Sequence, residues 1–224
     1  NFNTTFMYDT QYGIVAGNSS YLFYTNNGGQ NWFRMQYYQS GSSTITDNTY
    51  RDTNSIEMKE YNNNLRIFIA YKYNDPDGDP VDTYTKQIRY FDIPVASLST
   101  ELDGDTFKIS SFSESSISSD MNISSSSSSS NYIYYAGNNG ILKINISNAS
   151  TVYYTNSSYT YYSVHAYNDT FVVAVGNNII SYTSDGTNWT NITISSGTSL
   201  GTSVILRSIF IHNENNIVVV GDNG

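Results

Sequence analysis

The chain has 224 residues, no cysteine, a formal charge of −9 and only 13% charged residues. That length allows one sizeable core or two small ones, and 38% hydrophobic with 15% aromatic residues argues against a disordered tail. The lack of cysteine excludes a disulfide scaffold, a thiolate zinc site and a cysteine nucleophile, while ten basic against nineteen acidic residues argues against a nucleic-acid partner.

Read in chain order, strand signals recur and helical periodicity is almost absent. Ile14-Val15-Ala16-Gly17-Asn18 leads into a strand at Tyr21–Tyr24, a turn, and Trp32. Leu65–Tyr73 and Tyr84–Asp92 read as two strands around the acidic loop Asn74–Asp82. Residues 110–130 are low in complexity and end in seven serines, Ser124 to Ser130, which lack apolar surface to offset ordering and therefore read as a Ser-rich loop. Tyr132–Ala136, Gly137-Asn138-Asn139-Gly140 and Ile141–Ile146 form a strand, turn and strand, followed by a strand at Thr151–Thr155. Phe171–Val175, Gly176-Asn177-Asn178 and Ile179–Tyr182 repeat the pattern before Trp189. Ile205–Ile211 and Ile217–Val220 are the last strands, and the chain stops at Gly221-Asp222-Asn223-Gly224.

A hydrophobic strand, a Gly-Asn turn and a second strand thus recur at Gly17, Gly137, Gly176 and Gly221, and Leu65–Tyr73 is a degenerate fifth copy. Such turns call for positive φ, which Gly and Asn supply cheaply. The mean spacing, about 50 residues, is that of a four-stranded propeller blade. The expected fold is all-β, a β-propeller of about five blades over residues 1–224, or part of a larger propeller. The last blade lacks two strands, so either the sequence is an excerpt of a longer chain or a neighbouring subunit completes it.

The turns before the tryptophans carry the most specific pattern. Thr25-Asn26-Asn27-Gly28-Gly29-Gln30-Asn31-Trp32 has the spacing S-x-D-x-G-x-x-W, and Thr183-Ser184-Asp185-Gly186-Thr187-Asn188-Trp189 is a version one residue shorter. An Asp or Asn side chain there can bond nearby N–H groups, Gly permits positive φ, and Trp packs under the hairpin. This pattern resembles the Asp-box (BNR) repeat, whose turn residues map onto Thr25, Asn27, Gly29, Trp32, Thr183, Asp185, Gly186 and Trp189. The resemblance implies a β-propeller and raises the question of a sialidase. Sialidases use three arginines, a Tyr–Glu nucleophile pair and an acidic residue. The five arginines here are Arg34, Arg51, Arg66, Arg89 and Arg207, Glu60 and Tyr61 are adjacent, and the family's Arg-Ile-Pro has its nearest match at Asp92-Ile93-Pro94. That match reverses the charge at the substrate-binding position, and the expectation is that the chain is not an enzyme.

Nine sequons start at Asn3, Asn18, Asn122, Asn145, Asn148, Asn156, Asn168, Asn188 and Asn191 and are candidate carriers of N-linked glycans. About seven would arise by chance in so Asn- and Ser-rich a chain, so the composition itself is the stronger sign of export: Asn, Ser and Thr fill 84 positions. A surface of amides and hydroxyls changes little on acidification, which suits an acidic medium. In composition the chain resembles surface glycoproteins and virion appendages of acid-loving archaea. Asp75, Asp77, Asp79 and Asp82 alternate around Gly78 and are candidate calcium ligands, or else part of an exposed hairpin loop. His165 and His212 precede equivalent repeat strands and read as structural hydrogen-bonding residues. No apolar stretch reaches the roughly 20 residues of a spanning helix. The resulting expectation is an extracellular, glycosylated structural or adhesive protein: a surface, filament or virion-appendage subunit whose partners are other protein subunits or cell-surface components. The alternative is a carbohydrate-binding propeller or degenerate sialidase-like glycosidase.

Overall fold

The computed structural model describes residues 1–18, 21–37, 51–73, 86–95, 102–103, 106–109, 115–119, 121–194 and 204–222. Asp75, Asp77, Asp79 and Asp82 lie outside the described residues. Among the described residues there is no α-helix, and none of them forms a helix long and apolar enough to cross a membrane. The chain divides into two compact units, Asn1–Asp120 and Met121–Gly224.

The first unit holds β1 (Phe2–Met7), β2 (Gly13–Gly17), β3 (Leu22–Thr25), β4 (Phe33–Tyr37), β5 (Arg51–Tyr61), β6 (Asn64–Tyr73), β7 (Lys86–Pro94), β8 (Leu102–Asp103), β9 (Thr106–Ile109) and β10 (Ser115–Ser119). β1 to β4 form an antiparallel meander extended by β9 and β8, and a second sheet runs β10-β7-β6-β5. β5 and β6 are joined by Asn62-Asn63, both at positive φ (49° and 59°), the geometry a two-residue hairpin needs to match strand twist. Alternation along the strands sends Ile14, Ala16, Leu22 and Tyr24 from one meander into the same cluster as Ile56, Met58, Leu65, Ile67 and Ile69 from the other. Each of the Ile, Leu and Met side chains among them contributes about 1.5–3 kcal/mol when taken fully out of water.

The second unit holds β11 (Ile123–Ser128), β12 (Tyr132–Asn145), β13 (Thr151–Ala166), β14 (Val172–Gly176), β15 (Ile179–Thr183), β16 (Thr190–Thr193), β17 (Leu206–Asn213) and β18 (Asn216–Gly221). β12 is two repeat strands in one. Its first half pairs with β11 and its second with β13, and Ile146 N donates to Asn131 O at 2.9 Å, so the halves lie antiparallel. The fold-back is at Asn139 and Gly140, with φ of 70° and 147°. β13 likewise serves two meanders, pairing with β12 through residues up to Thr160 and with β14 from Tyr161 onward. β14 is buried on both faces: Val172 and Ala174 enter one cluster, Val173 and Val175 pack with Ile209 and Ile211 of β17. Double burial explains why Phe171–Val175 reads as an unbroken apolar run.

Two sequence expectations need correction. The first concerns the repeat glycines. Gly17, Gly137, Gly176 and Gly221 do not have positive φ; in the two hairpins that do, Asn139 with Gly140 and Asn178 supply it. The glycines are needed instead because a Cβ at each would run into the carbonyl oxygen of the residue opposite: Asn1, Asn122, Thr160 and Ile205 respectively. The next amide in each case donates to that same oxygen, as in Asn177 N to Thr160 O at 3.0 Å, and the register shifts by one residue beside it. The second correction concerns 110–130, expected as a Ser-rich loop. It contains β10, and five of the six residues of β11 pair with the buried run Ile133–Gly137. Serine hydroxyls replace the missing apolar contacts: Ser127 Oγ accepts from Ala166 N of β13 at 3.0 Å, and Ser129 Oγ accepts from Tyr132 N at 3.3 Å.

Candidate functional site

The second unit carries a cleft of about 120 Å³ lined by Ile141, Lys143, Val152, Tyr153, Tyr154, Gly186, Thr187 and Trp189. Three segments build it: the second half of β12, the first half of β13, and the turn between β15 and β16. Lys143 is a lone cation within the apolar run Ile141–Ile146. Alternation turns its stem out of the strand, and its Nζ donates to Gly186 O at 2.8 Å and lies 3.8 Å from the Tyr132 ring centroid. Partial burial lowers the Lys143 pKa, against the pull of Asp169 and Asp185.

The turn itself is fixed by one carboxylate. Asp185 Oδ1 accepts from Thr187 N at 2.8 Å, Asn188 N at 2.7 Å and Thr183 Oγ1 at 3.0 Å, while Oδ2 accepts from Asn188 Nδ2 at 2.7 Å. The Asn188 side chain and the two backbone donors hold the Asp185 carboxyl well below the usual carboxylate range. Gly186, at φ 72°, donates its N–H to Thr170 O at 3.0 Å. Trp189 is half-buried and stacks on Tyr154, with centroids 5.4 Å apart. Behind this pair Asn191 Nδ2 donates to Tyr154 OH at 3.0 Å, and Asn191 Oδ1 accepts from Ser181 Oγ at 2.6 Å. Ser181 Oγ in turn lies 2.7 Å from the hydroxyl of buried Tyr161, whose pKa burial pushes up to about 12.

The corresponding turn of the first unit uses an amide. Thr25 Oγ1 accepts from Gly29 N at 2.9 Å and donates to Asn27 Oδ1 at 3.1 Å; Asn27 Oδ1 accepts from Asn31 N at 2.9 Å; Gly28 N donates to Gln11 O at 2.9 Å. Gly28 and Gly29 have φ of 69° and 84°. Trp32 lies against Gly29 and is 38% exposed.

The residues considered for glycosidase chemistry are held in other contacts. Asp92 forms a bidentate pair with Arg66 (both contacts 2.7 Å), and the Arg66 guanidinium lies over the rings of Tyr61 and Tyr90. Glu60 Oε2 accepts from Tyr8 OH at 2.8 Å. Arg207 pairs with Asp222 at 2.7 Å on the surface. His165 Nδ1 accepts from Ile211 N at 2.9 Å, bridging β13 to β17, whereas His212 is exposed.

The sequons sort by what their amides do. Asn145 and Asn168 cap turns through Oδ1; Asn148 Oδ1 accepts from Ser150 N at 2.9 Å. Asn3, Asn188 and Asn191 donate through Nδ2. Asn18 Oδ1 accepts from Asn3, Asn122 is exposed and receives the Asn138 side chain on its backbone N–H, and Asn156 lies on β13.

Sequence reading did not single out Lys143, Tyr132, Tyr154 or Asp169. The available signal was the isolated lysine in an apolar strand, and its partner turn lies 43 residues away. Asp169 accepts from Asn131 N at 3.0 Å; burial pushes its pKa up, but bonds from Ser129 and Asn131 outweigh this and hold it low.

No protein-family model and no curated protein matches this chain. Among solved structures, YCF48 from Cyanidioschyzon merolae matches with a TM-score of 0.50 and 15% identity, over 95% of this chain and 64% of that one. The chain therefore spans less than two thirds of that protein's length. The Malassezia sympodialis allergen Mala s 1 matches with a TM-score of 0.53 and 12% identity, over 99% of this chain and 72% of that one. A structure of YCF48 bound to D1 peptide matches with a TM-score of 0.45 and 12% identity, over 99% and 75%. The first two likenesses show the fold, which is an all-β propeller.

Proposed function

We propose that this chain is a non-enzymatic, extracellular, glycosylated structural or adhesive propeller that works by contact with other protein subunits or cell-surface components. The observation that carries the reading is the condition of the polar groups around the cleft. Lys143, Asp169, Asp185, Asn188 and Asn191 are each bonded within the chain. Groups held this way fix a surface shape, and they leave the exposed Val152 and the edge of Trp189 to meet a partner. The turns ending at Trp32 and Trp189 are, on this reading, Asp-box turns. A surface folded by amide and hydroxyl bonds also suits an acidic medium of the kind occupied by archaeal surface and virion proteins.

The stacked Tyr154–Trp189 pair beside Tyr153 favours one other reading, a carbohydrate-binding cleft, because sugar rings pack on aromatic faces. A glycan array combined with light-scattering mass measurement separates the two. Self-association or retention on cell-surface protein, weakened in Trp189→Ala, supports the adhesive reading; a monomer at every concentration that binds sugars would replace it with the lectin reading. Surface labelling of intact source cells tests location, and protein found only inside them removes the extracellular claim.

A further inference from the structure

Nine sequons are present, and the structure sets five of them apart by the chemistry of the acceptor amide. Glycosylation replaces one hydrogen on Asn Nδ2, so that nitrogen must be reachable and uncommitted. At Asn145 the sequon folds on itself: Oδ1 accepts from Ser147 Oγ at 2.6 Å and Ser147 N at 2.9 Å. Asn168 repeats the arrangement, with Oδ1 accepting from Thr170 Oγ1 at 2.9 Å, Thr170 N at 2.9 Å and Phe171 N at 2.6 Å. In both, the hydroxyl that defines the sequon donates to its own amide oxygen. These bonds engage Oδ1 alone, and among the described residues Nδ2 of Asn145 and of Asn168 donates to no acceptor. These bonds span two or three residues, so the turns can form before the sheets do.

Asn3, Asn188 and Asn191 present the opposite case. Asn3 Nδ2 uses both hydrogens, donating to Asn18 Oδ1 at 2.7 Å and Thr53 O at 3.2 Å. Asn188 Nδ2 is held by the Asp185 carboxylate, and Asn191 Nδ2 by Tyr154 OH. We propose that Asn145 and Asn168 bear glycans and that Asn3, Asn188 and Asn191 stay bare. This rests on the extracellular reading above for its relevance to the living cell, though not for its chemistry.

The test is secretion of the chain, behind an added leader, from a host that attaches N-glycans, followed by glycopeptide mass spectrometry. The expected result is hexose-containing mass increments on the peptides holding Asn145 and Asn168, and unmodified Asn3, Asn188 and Asn191. Ser147→Ala and Thr170→Val remove the respective increments, while Asn168→Asp, which keeps the accepting oxygen, gives a folded but unmodified turn. An unmodified Asn145 or Asn168, or a glycan on Asn3, Asn188 or Asn191, overturns the assignment. Because the added leader imposes export, a failure here is separate from a failure of the extracellular reading, which surface labelling of source cells decides.

Discussion

Gly176 runs so close beneath the carbonyl oxygen of Thr160 that no side chain fits between them, and the amide of the next residue, Asn177, bonds that oxygen. The obstacle is backbone, which cannot move aside as a flexible side chain would. Gly176→Ala should therefore lower stability by about 1–3 kcal/mol, the usual cost of overpacking. In a chain of this size that is roughly 2–4 °C in melting midpoint per kcal/mol. Thermal unfolding of the variant checks it, and an unchanged midpoint removes close approach as the reason for glycine.

Ser127 and Ser130 are neighbours in one serine run with different fates. Ser127 Oγ accepts the Ala166 amide of another strand, whereas Ser130 is exposed. Ser127→Ala leaves that amide without its partner and should cost about 1–3 kcal/mol, while Ser130→Ala should be close to neutral. Denaturant titration of both variants reads the difference; equal effects would count against a structural role for Ser127.

Asp185 ties its carboxylate to the pH response. The unfolded chain takes up a proton at this position near the ordinary value of about 3.9, and the folded chain only at a lower pH. Its contribution is thus fully present above about pH 4 and is lost as pH falls further. Asp185→Ala should lower the melting midpoint at neutral pH and flatten its decline below about pH 4. A decline as steep as in the parent protein would remove Asp185 as its source.

His165 acts in a different window. Burial lowers its pKa, with the Ile209 backbone working the other way, and its Nδ1 must stay unprotonated to accept from Ile211 N. The unfolded chain protonates first, near about pH 6.5. Stability from this contact is therefore complete above that pH and falls as the solution is acidified toward the folded pKa. His165→Ala should be less stable at pH 8 and show a shallower loss of stability between pH 7 and 5. Melting curves across that range decide it.

The strands were legible where local pattern and burial agree. Phe171–Val175 and Leu65–Tyr73 are apolar and bounded by turn residues, and they stand as β14 and most of β6. The recurring glycines marked the right positions for a different cause, since no sequence pattern distinguishes a glycine chosen for φ from one chosen for a carbonyl opposite. The serine strand was not legible, because what orders it lies on other strands: the apolar β12 and the Ala166 amide. For the cleft, Trp189 and its turn were visible in the sequence, but Lys143 and Tyr154 meet them only through tertiary packing.

The serine strand has one more consequence. Seven identical side chains from Ser124 to Ser130 give β11 no internal marks: sliding it two residues along β12 would present the same hydroxyls to the same neighbours. Its alignment must therefore be set from its ends, by buried Met121 just before it and Ile123 as its first residue, and by the Ser129–Tyr132 turn after it. The strand is positioned like a plain ribbon pinned at both edges, and its central residues can exchange with one another more freely than those of any apolar strand beside it.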